Sequence, residues 1–219
     1  MNVLVPENRV AWHAGPSFWA GQSGLNATSV GIELEHSDYG QTDYPKEQMQ
    51  VLTKLAKEII DRHHIPPENI VGHSDIAPDG KQDPGQGFPW KKMSEEGIGL
   101  WYDLKNADKL SDLTVSELLS TIGYPVQGRL LKASCWAFRQ RFMPETIPYD
   151  DKIAERGEAM YQARQRVGKL PPKEREEILK NTPAIFPPDQ EACLTTQGFI
   201  KTLRAVAYEY QQAKKRYED

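Results

Sequence analysis

Hydrophobic residues in the first hundred positions follow two patterns, one typical of strands and one typical of a helix. Between positions 46 and 63 the apolar residues lie mostly three or four positions apart, on one helix face: Met49, Leu52, Leu55, Ala56, Ile59 and Ile60. Pro45 suits the first turn of that helix. Short apolar runs at 3–5, 10–12 and 69–73 are typical of strands. The pattern therefore predicts a sheet with a helix packed on it.

A further strand is predicted at 29–35, where the residues alternate with a period of two. Val30, Ile32 and Leu34 would face one side, and the carboxylates of Glu33 and Glu35 the other. A buried carboxylate is costly without a partner, so its presence on a strand needs an explanation. Two interpretations stay open. The segment is either an edge strand with a solvated face or a strand that points a catalytic base at a site.

Beyond residue 112 the pattern is helical. Thr114 can cap a helix that Gly123 ends, and further apolar stripes occupy 130–142 and 199–210. We expect three parts: an α/β domain over 1–102 with a mixed β-sheet and packed helices, a polar linker over 103–112, and a small all-α domain over 113–219. The charged, proline-rich stretch at about 144–189 is interpreted as an insertion in the last part.

Composition adds mainly exclusions. A net charge of −4 and a pI near 5.8 give no basic face for nucleic acid. No apolar run approaches the roughly 18 residues of a membrane span, and the first residues lack the basic start and apolar core of a signal peptide. Cys135 and Cys193 lie far apart in apolar helical contexts and are predicted to be buried free thiols. We expect a monomer.

The chemistry-bearing side chains are concentrated at 71–90, in the run VGHSDIAPDGKQDPGQGFPW. Its prolines and glycines exclude a long helix, so we predict a loop that follows a short strand ending at His73. His73 and Asp83 are the candidate metal ligands, because imidazole nitrogen and carboxylate oxygen both bind zinc well. The residues alone leave open the alternative of a structural histidine beside a solvated acidic loop.

The run GHSDIAPDGKQDPG resembles the C-terminal zinc motif of the type 2 N-acetylmuramoyl-L-alanine amidases, relatives of the peptidoglycan-recognition proteins. The resemblance implies that His73 and Asp83 bind Zn²⁺ and that Lys81 assists the chemistry. Segment 29–35 is similar to the family's SIGIEL strand, whose glutamate matches Glu33, the implied general base. The AWHAG run at 11–15 is similar to a segment along the family's substrate groove. The implied substrate contacts are Trp12, His13, Asn26 and Ala77.

The function implied by this resemblance is zinc-dependent hydrolysis of the amide between N-acetylmuramic acid and L-alanine, in peptidoglycan or in muropeptides. Residues 88–90 and 97–101, and more loosely CWAFRQRFMP at 135–144, resemble envelope-anchored members that carry a second, peptidoglycan-binding domain. The resemblance therefore implies a location in the bacterial cell envelope, while the lack of a signal peptide leaves the cytoplasm open.

One departure from the family pattern concerns the third zinc ligand, a histidine on a strand well upstream of AWHAG. The twelve residues before His13 contain no histidine, so we expect that strand and that ligand to be missing from this chain. Two other functions consequently stay open. The protein could bind peptidoglycan without cutting it, having lost a ligand, or it could act as a helical interaction protein through 113–219.

Overall fold

The computed structural model describes residues 2–152 and 196–216, with single positions between them (155, 159, 162, 163, 166, 170, 171, 174 and 178). The described elements are mainly helices. They are α1 (Lys46–His63), α2 (His73–Ile76), α3 (Trp90–Glu95), α4 (Val115–Ile122), α5 (Leu130–Phe142) and α6 (Gln197–Lys215). Short 3-10 turns occupy Leu25–Ala27, Pro67–Asn69, Leu104–Asn106 and Pro144–Thr146. Most of the predicted insertion at 144–189 lies outside the described residues.

Two helix predictions are confirmed, and that of α4 is confirmed with its end signals; Pro45 directly precedes α1 instead of lying in its first turn. Helix α1 buries Leu52, Ala56 and Ile59 on its predicted stripe. Helix α4 begins with a capping box, in which the Thr114 hydroxyl accepts from the Glu117 amide at 3.3 Å and the Glu117 carboxylate accepts from the Thr114 amide at 2.8 Å. Both bonds satisfy amides that the helix itself leaves unpaired.

The sheet is smaller than the sequence predicts. Strands β1 (Phe18–Trp19) and β2 (Gln22–Ser23) form one antiparallel hairpin. The strands predicted at 3–5, 10–12, 29–35 and 69–73 are wrong for the described residues, because a strand exists only where a second backbone pairs with it. Segment 29–35 makes no backbone-to-backbone hydrogen bond with any described segment, and Val30 and Ile32 are 37% and 39% exposed. The 69–73 run is divided between a 3-10 turn and the start of α2.

One hydrophobic cluster takes residues from both sides of 103–112. It combines Trp19, Leu25 and Ile76 with the buried faces of α4, α5 and α6. The Trp19 ring makes edge contacts with Tyr124 and Tyr210, at centroid distances of 5.1 and 6.3 Å. The two predicted parts therefore share one core cluster across the polar segment at 103–112. Independent folding of 1–102 and 113–219 stays a prediction.

A second, smaller cluster lies between α1 and α3. It contains Leu52, Ala56, Phe88, Trp90, Met93 and Ile98. Cys135 is a buried free thiol, as predicted, whereas Cys193 lies outside the described residues. None of the described helices has the length and apolar character that a membrane crossing requires.

Candidate metal and catalytic site

The loop that carries the candidate ligands is closed by its own backbone. The Ser74 amide donates to the Asp83 carbonyl at 2.9 Å, and the Ala77 carbonyl accepts from the amides of Gly80 and Lys81, both at 3.0 Å. These bonds fold 73–83 into a compact turn. His73, the first residue of α2, and Asp83, ten positions later, are therefore brought side by side.

The side chains of His73 and Asp83 converge, as their spacing predicts. His73 Nδ1 and Asp83 Oδ2 are 2.9 Å apart, and His73 Nε2 lies 3.3 Å from the Ala14 carbonyl. Desolvation acts to raise the pKa of Asp83, but its hydrogen bond with His73 and the charges of His73 and Lys81 outweigh it, so the pKa is lowered. This carboxyl therefore stays ionised, as a metal ligand must be.

A groove of about 600 Å³ opens beside this pair. Its polar lining includes His13, Glu33, His73, Lys81 and Asp83, the side chains to which the sequence assigns chemistry. Its apolar wall comes from 30–34, from α1 and from 70–72. The fold thus gathers both candidate ligands, the candidate base and the candidate ammonium around one cavity.

The predicted substrate contacts are divided by the structure. Trp12 lines the groove and is 87% exposed. His13 also lines it, with Nε2 2.8 Å from the Ser29 hydroxyl. Among the described residues of the groove lining, Asn26 and Ala77 do not occur. Asn26 accepts from the Ala14 amide at 2.8 Å, and Ala77 is buried in the core, so both shape the backbone around the groove.

The turn after Asp83 is held by a neighbouring segment that sequence reasoning missed. The Tyr44 hydroxyl donates to the Pro84 carbonyl at 2.8 Å, and the Gly87 amide donates to the Gly40 carbonyl at 2.7 Å. A Cβ on Gly40 would lie 1.8 Å from the Pro84 oxygen, so only glycine fits there. Burial and then the negative charge of Asp83 raise the pKa of Tyr44 to about 12, which keeps its hydroxyl a donor. In the sequence, Gly40 and Gly87 were the signal available for this close contact between the two segments.

The donor set falls short of a complete zinc site. Within the part of the chain that the structure describes, no group of three or more His, Cys, Asp or Glu side chains is arranged to hold a metal ion. His73 and Asp83 match zinc in donor type, but a catalytic zinc uses three protein ligands and a water. His13 bonds the Ser29 hydroxyl through Nε2 and does not complete a set of three donors with His73 and Asp83 among the described residues.

The fold and the motif loop together define a protein of the amidase class. The chain belongs to the N-acetylmuramoyl-L-alanine amidase family, whose model matches residues 2–86. It is 40% identical over 162 residues to the N-acetylmuramoyl-L-alanine amidase AmiD of Escherichia coli, covering 64% of this chain and 59% of AmiD. It is 43% identical over 89 residues to the 1,6-anhydro-N-acetylmuramyl-L-alanine amidase AmpD of Enterobacter cloacae, covering 41% of this chain and 46% of AmpD.

Solved structures agree with this assignment. AmpDh3 of Pseudomonas aeruginosa superposes with a TM-score of 0.58 at 34% identity, over 76% of this chain and 73% of that one. AmiD in complex with the substrate anhydro-N-acetylmuramic acid-L-Ala-D-gamma-Glu-L-Lys gives a TM-score of 0.59 at 40% identity, over 65% of this chain and 63% of that one. The predicted class, an amidase-like fold with a helical C-terminal region, is confirmed.

The extent of these matches has two consequences. The chain spans 59% of AmiD and 46% of AmpD. The activity of those whole proteins is therefore only proposed for this chain. The match to AmiD covers 64% of this chain and must extend beyond residue 112, because 1–112 is about half of the sequence. The similarity therefore includes part of the helical region. That this region binds peptidoglycan stays a prediction.

Proposed function

We propose that this protein hydrolyses the amide between N-acetylmuramic acid and L-alanine in muropeptides. The observation that supports this most directly is the groove that gathers Glu33, His73, Lys81 and Asp83. Family membership supplies the reaction type, and the substrate in the AmiD complex supplies the substrate class. The substrate would then come from the bacterial cell envelope, as wall peptidoglycan or as muropeptides released from it.

The proposed reaction depends on Zn²⁺, with His73 and Asp83 as two of its ligands. When bound, zinc lowers the pKa of a water towards about 7 and polarises the scissile carbonyl. The pair needs a third donor, which the described residues do not provide. The burial of His73 and its contact with Asp83 support this assignment, because they fix the orientation of the imidazole.

In the proposed reaction Glu33 transfers a proton and Lys81 stabilises a developing charge. Glu33 accepts the proton of the attacking water and passes it to the leaving amine, which departs as a neutral group. The Lys81 ammonium stabilises the negative charge that develops on the carbonyl oxygen. An amide is a poor electrophile with a poor leaving group, so the reaction needs both contributions. Both side chains line the same groove.

The groove suits a muropeptide in size and in character. Its volume of about 600 Å³ lies within the 300–1,000 Å³ range typical of ligand sites. The exposed Trp12 indole offers a flat surface for a sugar ring. The apolar wall from α1 and 30–34 would take the lactyl and alanyl methyl groups, leaving the scissile amide at His73 and Asp83.

A second candidate function is binding of peptidoglycan without cleavage. The count of two zinc ligands among the described residues favours it, because a site one ligand short holds zinc weakly. Glu33 and Lys81 in the groove favour hydrolysis instead. The shared core argues against the third alternative, a helical interaction protein. Leu118, Leu119 and Phe199 are fully buried there and offer no surface to a partner.

One experiment separates these functions. The purified chain is incubated with anhydro-muramyl tripeptide, and separately with intact peptidoglycan, with Zn²⁺ or with a chelator. Released peptide is measured by chromatography, and retention on insoluble peptidoglycan by sedimentation. Zinc-dependent release supports the amidase. Retention without release, at saturating zinc, supports the binding protein and overturns the hydrolase proposal.

A further inference from the structure

Three polar side chains that are almost completely buried meet behind the turn that carries His73. Asp75, Tyr124 and Arg141 are 1%, 1% and 2% exposed. The Tyr124 hydroxyl donates to Asp75 Oδ1 at 2.5 Å, and Arg141 Nη1 donates to Asp75 Oδ2 at 2.6 Å. We call these three residues the Asp75 cluster. None of them is among the described residues that line the groove.

The Asp75 cluster holds the backbone before His73 and anchors Asp75, two positions after it. Asp75 Oδ2 also accepts from the Gly72 amide at 2.8 Å, which fixes the residue before His73. Arg141 Nη2 donates to the Ile70 carbonyl at 2.9 Å, and the guanidinium lies 4.0 Å from the centre of the Trp90 ring. The Arg141 side chain of α5 therefore contacts three residues of this stretch, Ile70, Asp75 and Trp90.

Stability alone does not explain an ion pair in this position. Desolvating two charges costs about as much as their attraction returns, and apolar residues of similar size are often as good or better. What an Arg–Asp pair adds is direction, since the planar guanidinium meets its acceptors in a fixed geometry. Here those acceptors are the Asp75 carboxylate and the Ile70 carbonyl.

We propose that the Asp75 cluster positions His73. Arg141 and Tyr124, from the helical part of the chain, fix the backbone from Ile70 to Asp75 and so set the direction in which the His73 imidazole meets Asp83. Arg141 and Tyr124 are thus positioning residues that touch neither substrate nor metal. The inference deepens the proposed function and rests on it only in treating His73 as a zinc ligand. It also gives α5 a role in the site.

The chain offers a matched control for each positioning residue. Tyr124→Phe removes the hydroxyl that bonds Asp75. Tyr210→Phe removes a buried hydroxyl that interacts with the charges of Asp75 and Arg141 but has no hydrogen-bond partner among the described residues, so it tests the hydrogen bond itself. Both rings contact Trp19. Arg141→Lys removes the planar fork but keeps the charge. Its control is Arg139→Lys, on the same helix and 3% exposed, where the guanidinium donates to the Thr146 carbonyl at 2.7 Å.

Two readouts test the inference. The first is hydrogen exchange of the amides in 69–83, compared with those of α4. The second is zinc affinity, measured by competition with a chromophoric chelator. We expect Tyr124→Phe and Arg141→Lys to accelerate exchange at 69–83 while α4 is unchanged. We expect them to weaken zinc binding by about 10–100-fold, the usual effect of losing a group that orients a ligand. The controls should leave 69–83 unchanged.

The possible results separate positioning from simple stability and from the proposed function. Exchange that rises equally in 69–83 and α4, or that rises as much in the controls, would show a purely structural role and overturn the inference. If Arg141→Lys fails to fold, Tyr124→Phe carries the same comparison. If the unmodified chain binds no zinc and cleaves nothing, the proposed function falls. Selective loosening of 69–83 would then still support the positioning role.

Discussion

The Trp19 ring occupies the space in which Gly123 would carry a side chain. A Cβ on Gly123 would lie 2.9 Å from Trp19 Cε2, and the Gly123 carbonyl accepts from the Ala20 amide at 2.9 Å. Gly123 ends α4, and Trp19 belongs to the hairpin before α1. This contact joins the two halves of the chain at the centre of the larger core cluster.

Gly123→Ala is expected to be strongly destabilising. The backbone at Gly123 has a φ of 137°, which is costly for any residue with a Cβ, and the added methyl would press against the indole. Strain and overpacking together should cost about 2–4 kcal/mol of unfolding free energy. Urea denaturation followed by tryptophan fluorescence measures this.

Gly198→Ala is the matched control. A Cβ on Gly198 meets nothing within 4 Å, and the residue lies in the first turn of α6. Alanine there should leave stability unchanged or raise it by up to about 1 kcal/mol, because it is the better helix former. Equal losses in the two variants would contradict the importance of the Trp19 contact.

The Cys135 thiol is expected to be unreactive in the folded protein. Burial raises its pKa to about 12, so at pH 8 about one thiol in 10⁴ is ionised, and the thiolate is the reactive form. A raised folded pKa stabilises the protein fully below the unfolded value near 9, and this contribution is lost as the pH rises from 9 through about 12. A Cys193→Ser variant isolates the signal. Rapid labelling by a thiol reagent before denaturation would contradict the burial.

How much of this structure the sequence predicts depends on how local the signal is. The stripe of α1, the Thr114 cap and the Gly123 stop each involve neighbouring residues, and all are confirmed. The convergence of His73 and Asp83 also follows from a local motif. Strands depend on partners that are distant in sequence, which is why period-two alternation at 29–35 did not make it a paired strand here.

The Asp75 cluster shows the same limit at the site. Asp75 reads as one of several carboxylates in a polar loop, and Arg141 as one of two arginines near the end of an apolar helix. Their pairing joins positions 66 residues apart, which no spacing rule connects. The faint signal in the sequence was an aspartate two positions after the histidine of this polar loop.

Cutting the chain between its two parts should not separate them. A specific protease site inserted after Asp108, which is exposed, would leave the core around Trp19, Tyr124 and Tyr210 intact. We expect both fragments to elute together in size-exclusion chromatography and to separate only in denaturant. A helical fragment that elutes alone and keeps its circular dichroism would instead support independently folding domains.

Glu33→Gln is expected to abolish turnover without removing zinc, because it removes the base and no ligand. Loss of a general base costs about 10²–10⁴-fold in rate. Glu35→Gln is the matched control, since Glu35 is an exposed carboxylate two positions away that is not among the described residues of the groove lining.

His73→Ala should show the complementary result, with zinc content and turnover lost together. Muropeptide release and zinc per chain are measured on the same samples. If Glu33→Gln keeps more than about a tenth of the activity, the base lies elsewhere. If His73→Ala keeps its zinc, the metal does not lie beside Asp83, and the proposed arrangement of the site is wrong.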